Sequence, residues 1–332
     1  MTGLKIFGTL GMRALGHVVP AGDDIVRAYR AAVPRIGVVP KNAIVTLGDR
    51  RTFRVFRTPA ECHVRSTDFL IYYFGMVDGR ETRAFSRLVE PGDICVDAGA
   101  NSGWYTLLFS ELTGPGGEVH AFEPDPRAFA QLRDNVALSR SRSAVRLNNV
   151  ALGRSAGTMP LYTAYNTQLS SLHPISPDLL PHQADASASG GRFQVPVTTL
   201  DAYAGMAGLD RVDVIKLDVE GSEFDVLRGG ERVIRMGLVP PVLFVELNPG
   251  AGRQAGYSVH DMVAWLDATV GYRFYQATAL GRLVEFRSVR DLLADVDRLP
   301  PGRVLNIFCL VPSCHSRRLA RASLFQRRWS RG

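Results

Sequence analysis

From about residue 93 onward, short apolar runs alternate with stretches of helical period, and turn-forming residues separate the two. The runs predict strands near Asp93 to Asp97, Glu118 to Phe122, Ala144 to Val150, Val212 to Leu217, Val242 to Leu247, Tyr272 to Ala277 and Val304 to Val311. Trp104 to Leu112 has helical periodicity, as does Glu81 to Leu88 ahead of the first run, where Pro91-Gly92 ends it. Strand and helix in alternation predict an α/β fold: a doubly wound, mostly parallel sheet with helices on both faces. Seven such runs predict seven strands.

The pattern differs outside this core. Asp23 to Val33 reads as a helix, and Ala43 to Leu47 and Thr52 to Phe56 flank Gly48-Asp49 as a hairpin, giving an N-terminal cap over residues 1–80. Residues 81–312 form the expected catalytic domain. Between its third and fourth strands lies a long excursion, Gly153 to Gln194, dotted with serine, proline and glycine. Connections of that length are usually functional or disordered, so it is expected to be a substrate lid carrying a short hairpin around Met159 to Leu172.

Chemistry enters at Asp97-Ala98-Gly99-Ala100-Asn101-Ser102-Gly103, directly after the apolar run Ile94-Cys95-Val96. Gly99 and Gly103 permit a tight turn with close backbone approach, and the helix that follows aims its first N–H groups at that turn. Glu123, at the end of the second predicted strand, stands where a carboxylate can accept both hydrogen bonds of a ribose diol. A dinucleotide site would show G-x-G-x-x-G with a pyrophosphate on the helix N-terminus. Here the turn opens with Asp97, whose charge would repel a pyrophosphate but suits an ammonium and a sulfonium. The charge favours S-adenosyl-L-methionine over NAD.

Longer segments carry a family resemblance. The run Pro91-Gly92-Asp93-Ile94-Cys95-Val96-Asp97-Ala98-Gly99-Ala100-Asn101-Ser102-Gly103-Trp104-Tyr105-Thr106 resembles the first motif of FkbM-type methyltransferases, as does Ala121-Phe122-Glu123-Pro124. Ile215-Lys216-Leu217-Asp218-Val219-Glu220-Gly221-Ser222-Glu223 is similar to the second signature of that family, and Thr199-Leu200-Asp201 to the segment leading into it. The resemblance spans about Glu81 to Asn248. It implies a Rossmann-like class I methyltransferase fold whose last strand runs antiparallel between its neighbours. It also implies S-adenosyl-L-methionine as cofactor, and O-methylation of a sugar, glycolipid or secondary metabolite. Asp97, Gly99, Asn101, Gly103 and Glu123 become the expected cofactor-binding residues. Asn149 and Ala151, after the third strand, are placed against the adenine by the same resemblance.

Methyl transfer to an alcohol needs a group that accepts the hydroxyl proton. Asp218 and Glu220, just past the fourth strand, and Glu246, near the end of the fifth, border the crevice where such folds bind ligands. Asp218 is the expected base or orienting residue, with Glu220 and Glu246 shaping the acceptor pocket. Two other readings stay open. Asp218 or Glu220 could cap the helix opened by Gly221-Ser222-Glu223, and the three carboxylates together would suit Mg²⁺, which the lack of a dense acidic cluster in the sequence disfavours. His120 reads as a core-strand residue, His173 and His182 belong to the expected lid, and His63 lacks metal-ligand spacing. Methylation of an amine or carboxyl group, or a cofactor-binding module without catalysis, are the alternatives in function.

Composition adds bounds. With 332 residues, 46% of them hydrophobic, the chain can bury a sizeable core. Cys62, Cys95, Cys309 and Cys314 show no paired spacing, which predicts reduced thiols and a cytoplasmic protein; no run is long enough to span a bilayer. The net charge of +7 gathers in an arginine-rich tail, residues 313–332, whose expected state is a solvated terminus or a weak amphipathic contact with an anionic membrane surface. With the basic residues confined to that tail, a small-molecule or glycan acceptor is expected and nucleic acid is not. Oligomeric state is left open by the sequence.

Overall fold

The computed structural model describes residues 42–55, 67–163, 170–174 and 191–323. β1 (Ala43–Thr46) and β2 (Thr52–Val55) form the expected hairpin and are followed by α1 (Thr67–Phe74) and α2 (Gly79–Leu88). The core then runs β3 (Ile94–Ala98), α3 (Trp104–Thr113), β4 (Glu118–Phe122), α4 (Pro126–Ser139) and β5 (Ala144–Asn148). Next come β6 (Ala151–Leu152), β7 (Gly157–Tyr162), β8 (Arg192–Thr198), α5 (Leu200–Ala207), β9 (Val214–Leu217), α6 (Glu223–Gly229), α7 (Glu231–Arg235) and β10 (Val242–Leu247). The chain continues through α8 (Pro249–Gln254), α9 (Val259–Val270), β11 (Arg273–Ala277), β12 (Leu283–Glu285), α10 (Val289–Asp297), β13 (Leu305–Leu310) and α11 (Ser316–Ala322).

The main sheet has the order β12-β11-β13-β10-β9-β3-β4-β5. β3, β4, β5, β9 and β10 pair in parallel, while β13 is inserted antiparallel between β10 and β11, as the resemblance implied. The sheet has eight strands instead of seven. The extra one, β12, is a three-residue edge strand antiparallel to β11 and too short to announce itself by alternation.

Both faces of the sheet are covered. Cys95, Val119, Val214, Phe244 and Phe308 face one apolar cluster with Phe85 of α2 and Tyr105 and Phe109 of α3. Val96, Ala98, Ile215, Leu217, Leu243 and Val245 face the other, with Met262 and Leu266 of α9. Strand period two therefore puts Asp97 and Lys216 on the α2–α3 face, paired in register with each other. The hairpin joins this face: Phe53 stacks on Trp104 at 5.6 Å, and the Thr52 and Arg54 amides donate to Ser139 and Asn135 of α4.

Two expectations need correction. β7 pairs mainly with β8, in a small sheet of order β6-β8-β7, and among the described residues the predicted Met159 to Leu172 hairpin shows one antiparallel bridge, Tyr162 to Ser171. The first part of the arginine-rich tail is an ordered helix packed on one side against the domain, where a solvated terminus was expected. In α11, Leu319 and Ala322 are buried, Arg318 holds Asp93 at 2.6 and 2.8 Å, and Arg321 reaches Glu90. Residues 23–33 and 324–332, with Cys62, His63 and His182, lie outside the described residues. Among the described residues no helix is long and apolar enough to cross a membrane.

Candidate active site

A cavity of about 340 Å³ opens where β3, β4, β9 and β10 end. Ala98, Phe122, Asp218 and Glu246 mark those strand ends, Asp78 and Tyr105 close one side, and Leu161, Ser170 and Leu172 close another. Of the sequence-predicted site residues, Gly99, Asn101, Glu123, Ala151, Asp218, Glu220 and Glu246 line it. Asp97, Gly103 and Asn149 do not.

At the β3–β4 end the carboxylate of Glu123 is buried, accepting the Asn101 N–H at one oxygen and the Asp125 N–H at the other, both at 2.8 Å. Burial pushes its pKa up to about 7, against the pull of those two backbone donors. Asn101 sits at φ +47°, a conformation that asparagine tolerates, and its own side chain accepts the Ser102 N–H. Gly99 and Ala100 donate to the Phe122 carbonyl, and Gly103 to Ala100. All five amides from Gly99 to Gly103 are thus satisfied within the protein, so this turn is no cradle for a pyrophosphate.

The role expected of Asp97 is corrected. It is fully buried beneath the turn, accepts a hydrogen bond from Thr106 Oγ1 at 2.6 Å, and lies 3.1 Å from the Lys216 ammonium. Its charge is thereby neutralised before any ligand arrives. Burial alone would lower the Lys216 pKa, but Asp97 and Asp218 outweigh it and raise it. Gly103 is needed for packing: at φ +96° a side chain there would press on Leu132 of α4. Gly99 has both reasons to be glycine, since φ is +76° and a Cβ would collide with the Asp218 carbonyl. Asn149 holds the loop after β4 through the Glu123 and Pro124 carbonyls, one step removed from the cavity.

The other end of the cavity is acidic. Asp218, Glu220 and Glu246 come together there, joined by Asp78, which the sequence reading missed. Neither Asp218 nor Glu220 caps α6; Glu223 folds back onto the Val219 and Gly221 amides instead. Glu220 sits at φ +51° and Asp78 at φ +43°, strained positions for such residues. The pKa of Glu220 is held well above the usual carboxyl range by burial and by Asp218 and Glu223; that of Glu246 by burial and by Glu220 and Asp218. Asp78 accepts a hydrogen bond from Tyr105 at 3.1 Å, and burial with neighbouring Glu81 brings its pKa to about 7. No grouping of histidine, cysteine, aspartate and glutamate suited to a metal occurs among the described residues.

Residues 170–174 connect the two ends. Ser170 bonds to Asp125 at 2.9 Å and Ser171 to the Glu220 carbonyl at 2.6 Å. The Ser102 and Ser222 hydroxyls, both in the cavity wall, are buried without a protein partner. Lys216 was findable in the sequence, because a lysine amid Val214, Ile215 and Leu217 in a core strand must meet a counter-charge. Asp78 offered no such signal. His120 bonds to Tyr203 at 2.8 Å inside the core, and His173 is neighboured by Asp225 outside the cavity wall.

Residues 97–274 match the Methyltransferase FkbM domain. The chain is 33% identical over 163 residues to the 31-O-demethyl-FK506 methyltransferase FkbM of Streptomyces tacrolimicus, covering 43% of this chain and 61% of that protein. It is 30% identical over 155 residues to the 2-O-methyltransferase NoeI of Sinorhizobium fredii, covering 45% and 62%. The match thus spans about three fifths of the length of these relatives. A solved structure of M. jannaschii TYW2 with AdoMet aligns over 83% of this chain and 87% of that one at 10% identity and a TM-score of 0.39, too loose an overlap to carry an argument. With more than half of its residues inside the matched domain, the chain belongs to the FkbM methyltransferase family.

Proposed function

We propose that this protein is an S-adenosyl-L-methionine-dependent O-methyltransferase acting on a hydroxyl of a sugar, glycolipid or secondary metabolite. One observation carries the reading: a single cavity has a ribose-type carboxylate, Glu123, at the β3–β4 end and an acidic wall of Asp78, Asp218, Glu220 and Glu246 at the other. The first suits a diol and the second suits cations and hydroxyl protons. One relative named above is called a 2-O-methyltransferase and the other a 31-O-demethyl-FK506 methyltransferase, names that support a hydroxyl acceptor.

When bound, the cofactor supplies an electrophilic methyl group on a sulfonium. Glu123 accepts the ribose hydroxyls through the lone pairs left free by Asn101 and Asp125. Ala151, Val150 and Leu152 offer an apolar wall to the base. Asp218 would accept the proton of the acceptor hydroxyl that takes the methyl group, so hydroxyl and carboxylate must be held within hydrogen-bond reach. Glu220 and Glu246 orient the acceptor. Ser170 and Ser171, within the expected lid, tie the two ends of the cavity together on one side.

Calorimetry with S-adenosylhomocysteine, then a turnover assay over hydroxylated glycans and secondary metabolites, tests the proposal. Binding with S-adenosylhomocysteine release from S-adenosylmethionine is expected. Binding without turnover on any acceptor would favour a cofactor-binding module.

A further inference from the structure

An anionic group entering this cavity has few places to go. The amides of the turn are all taken, and the wall carries five carboxylates, Asp78, Glu123, Asp218, Glu220 and Glu246. Among the described residues lining it, Lys216 is the one cationic side chain. Its ammonium has three N–H groups. Nζ donates to the Gly99 carbonyl at 2.9 Å and, over a long 3.4 Å, to the Ala98 carbonyl, and it lies 3.1 Å from Asp97 and 3.5 Å from Asp218. Its contacts toward Ala98 and Asp218 are the long ones, leaving donor capacity for a ligand on that side. A second donor stands on the turn above β3: the Ser102 hydroxyl, buried in the cavity wall with no protein partner.

We propose that Lys216, assisted by Ser102, binds the α-carboxylate of the cofactor's amino-acid end, and that Asp97 is the positioning residue that holds the lysine under the turn. The proposal rests on the cofactor reading above. It reverses the role that charge alone gives Asp97: the acid serves a cation of the protein itself, and the lysine in turn serves the one anionic group of the ligand. Asp218, freed from its long contact, is left to the acceptor.

The competing account is that Lys216 only neutralises Asp97. Calorimetry with S-adenosylhomocysteine and its decarboxylated analogue, which keeps the adenosine, thioether and amine, separates the two. Wild-type protein is expected to prefer the carboxylate-bearing ligand by about 30-fold or more, and Lys216→Met to bind both within about threefold of each other. Because Lys216→Met leaves Asp97 unpaired, the charge-neutral Asp97→Asn/Lys216→Met variant is measured beside it, with the same expectation. Equal affinity of wild-type protein for the two ligands overturns the proposal while leaving the cofactor reading standing. So does a preference that survives in either variant. If wild-type protein binds neither ligand, the cofactor reading itself falls.

Discussion

The two ends of the cavity solve opposite problems. At the β3–β4 end the backbone is fixed: Glu123 is pinned by two amides, Asn101 by its own neighbour, and the turn spends all five amides from Gly99 to Gly103 internally, leaving the Ser102 hydroxyl as its unpartnered donor. At the other end Glu220 and Glu246 are crowded by neighbouring carboxylates, with Lys216 only partly offsetting the effect at Glu220, and both hold their protons far more tightly than a solvated carboxyl does. The contrast teaches that one end is built to be rigid and to recognise one shape, while the other is poised to change protonation when a cation or hydroxyl arrives.

The harshest way to break the contrast is to disturb the point where the two ends touch. Gly99→Ala places a methyl group against the Asp218 carbonyl at a positive φ. A stability loss of about 3 kcal/mol is expected from overpacking and backbone strain together, read as a lower Tm, with S-adenosylhomocysteine binding lost. Asp218→Asn spares the rigid end. Turnover should fall about 10²- to 10⁴-fold while the Kd for S-adenosylhomocysteine shifts less than about threefold; intact turnover would remove the base assignment. Glu123→Ala attacks the other end, leaving the Asn101 and Asp125 amides buried and unsatisfied at about 1–3 kcal/mol each. Cofactor affinity should drop by at least about 30-fold in equilibrium binding.

Proton linkage sharpens the comparison with smaller effects. Asp78 and Glu123 both titrate near 7 in the folded protein, above their unfolded values. In that window the folded state binds more protons than the unfolded one. The contribution of these groups to stability is therefore complete below the ordinary carboxyl range and is lost as pH rises to about 7. Thermal denaturation of the cofactor-free protein should follow that slope, and Glu123→Gln should flatten it. A ribose diol needs Glu123 ionised, so binding near pH 6 should release a fraction of a proton, measurable by calorimetry in buffers of different ionisation enthalpy. Release should be greater with S-adenosylmethionine than with S-adenosylhomocysteine, because the sulfonium charge meets the acidic end. Glu246→Gln should narrow that difference without touching the Glu123 share.

The strands were legible because alternation and turn residues are local: Glu118–Phe122 and Val242–Leu247 coincide with the predicted runs. Glu123, Asp218, Glu220 and Glu246 were legible for the same reason, each fixed by its distance from a strand end. What escaped was set by contacts distant in sequence. Nothing near Asp97 announces that Lys216, paired with it in register across β3 and β9, will cancel its charge. Asp78 reaches the cavity only because α2 packs against the start of α3 through Thr82 and Trp104. The helical order of residues 316–322 depends on Asp93 and Glu90, far back in the chain.

The placement of β13 bears on how such a chain is made. A sheet whose strand between β10 and β11 is supplied by residues 305–310 presents a raw β10 margin until roughly 60 residues more have left the ribosome. During that interval Val242 to Leu247, almost wholly apolar, is an adhesive seam for any passing extended segment. Biogenesis of this fold thus has a late seal, and a chain stopped before it is a candidate for chaperone capture or aggregation.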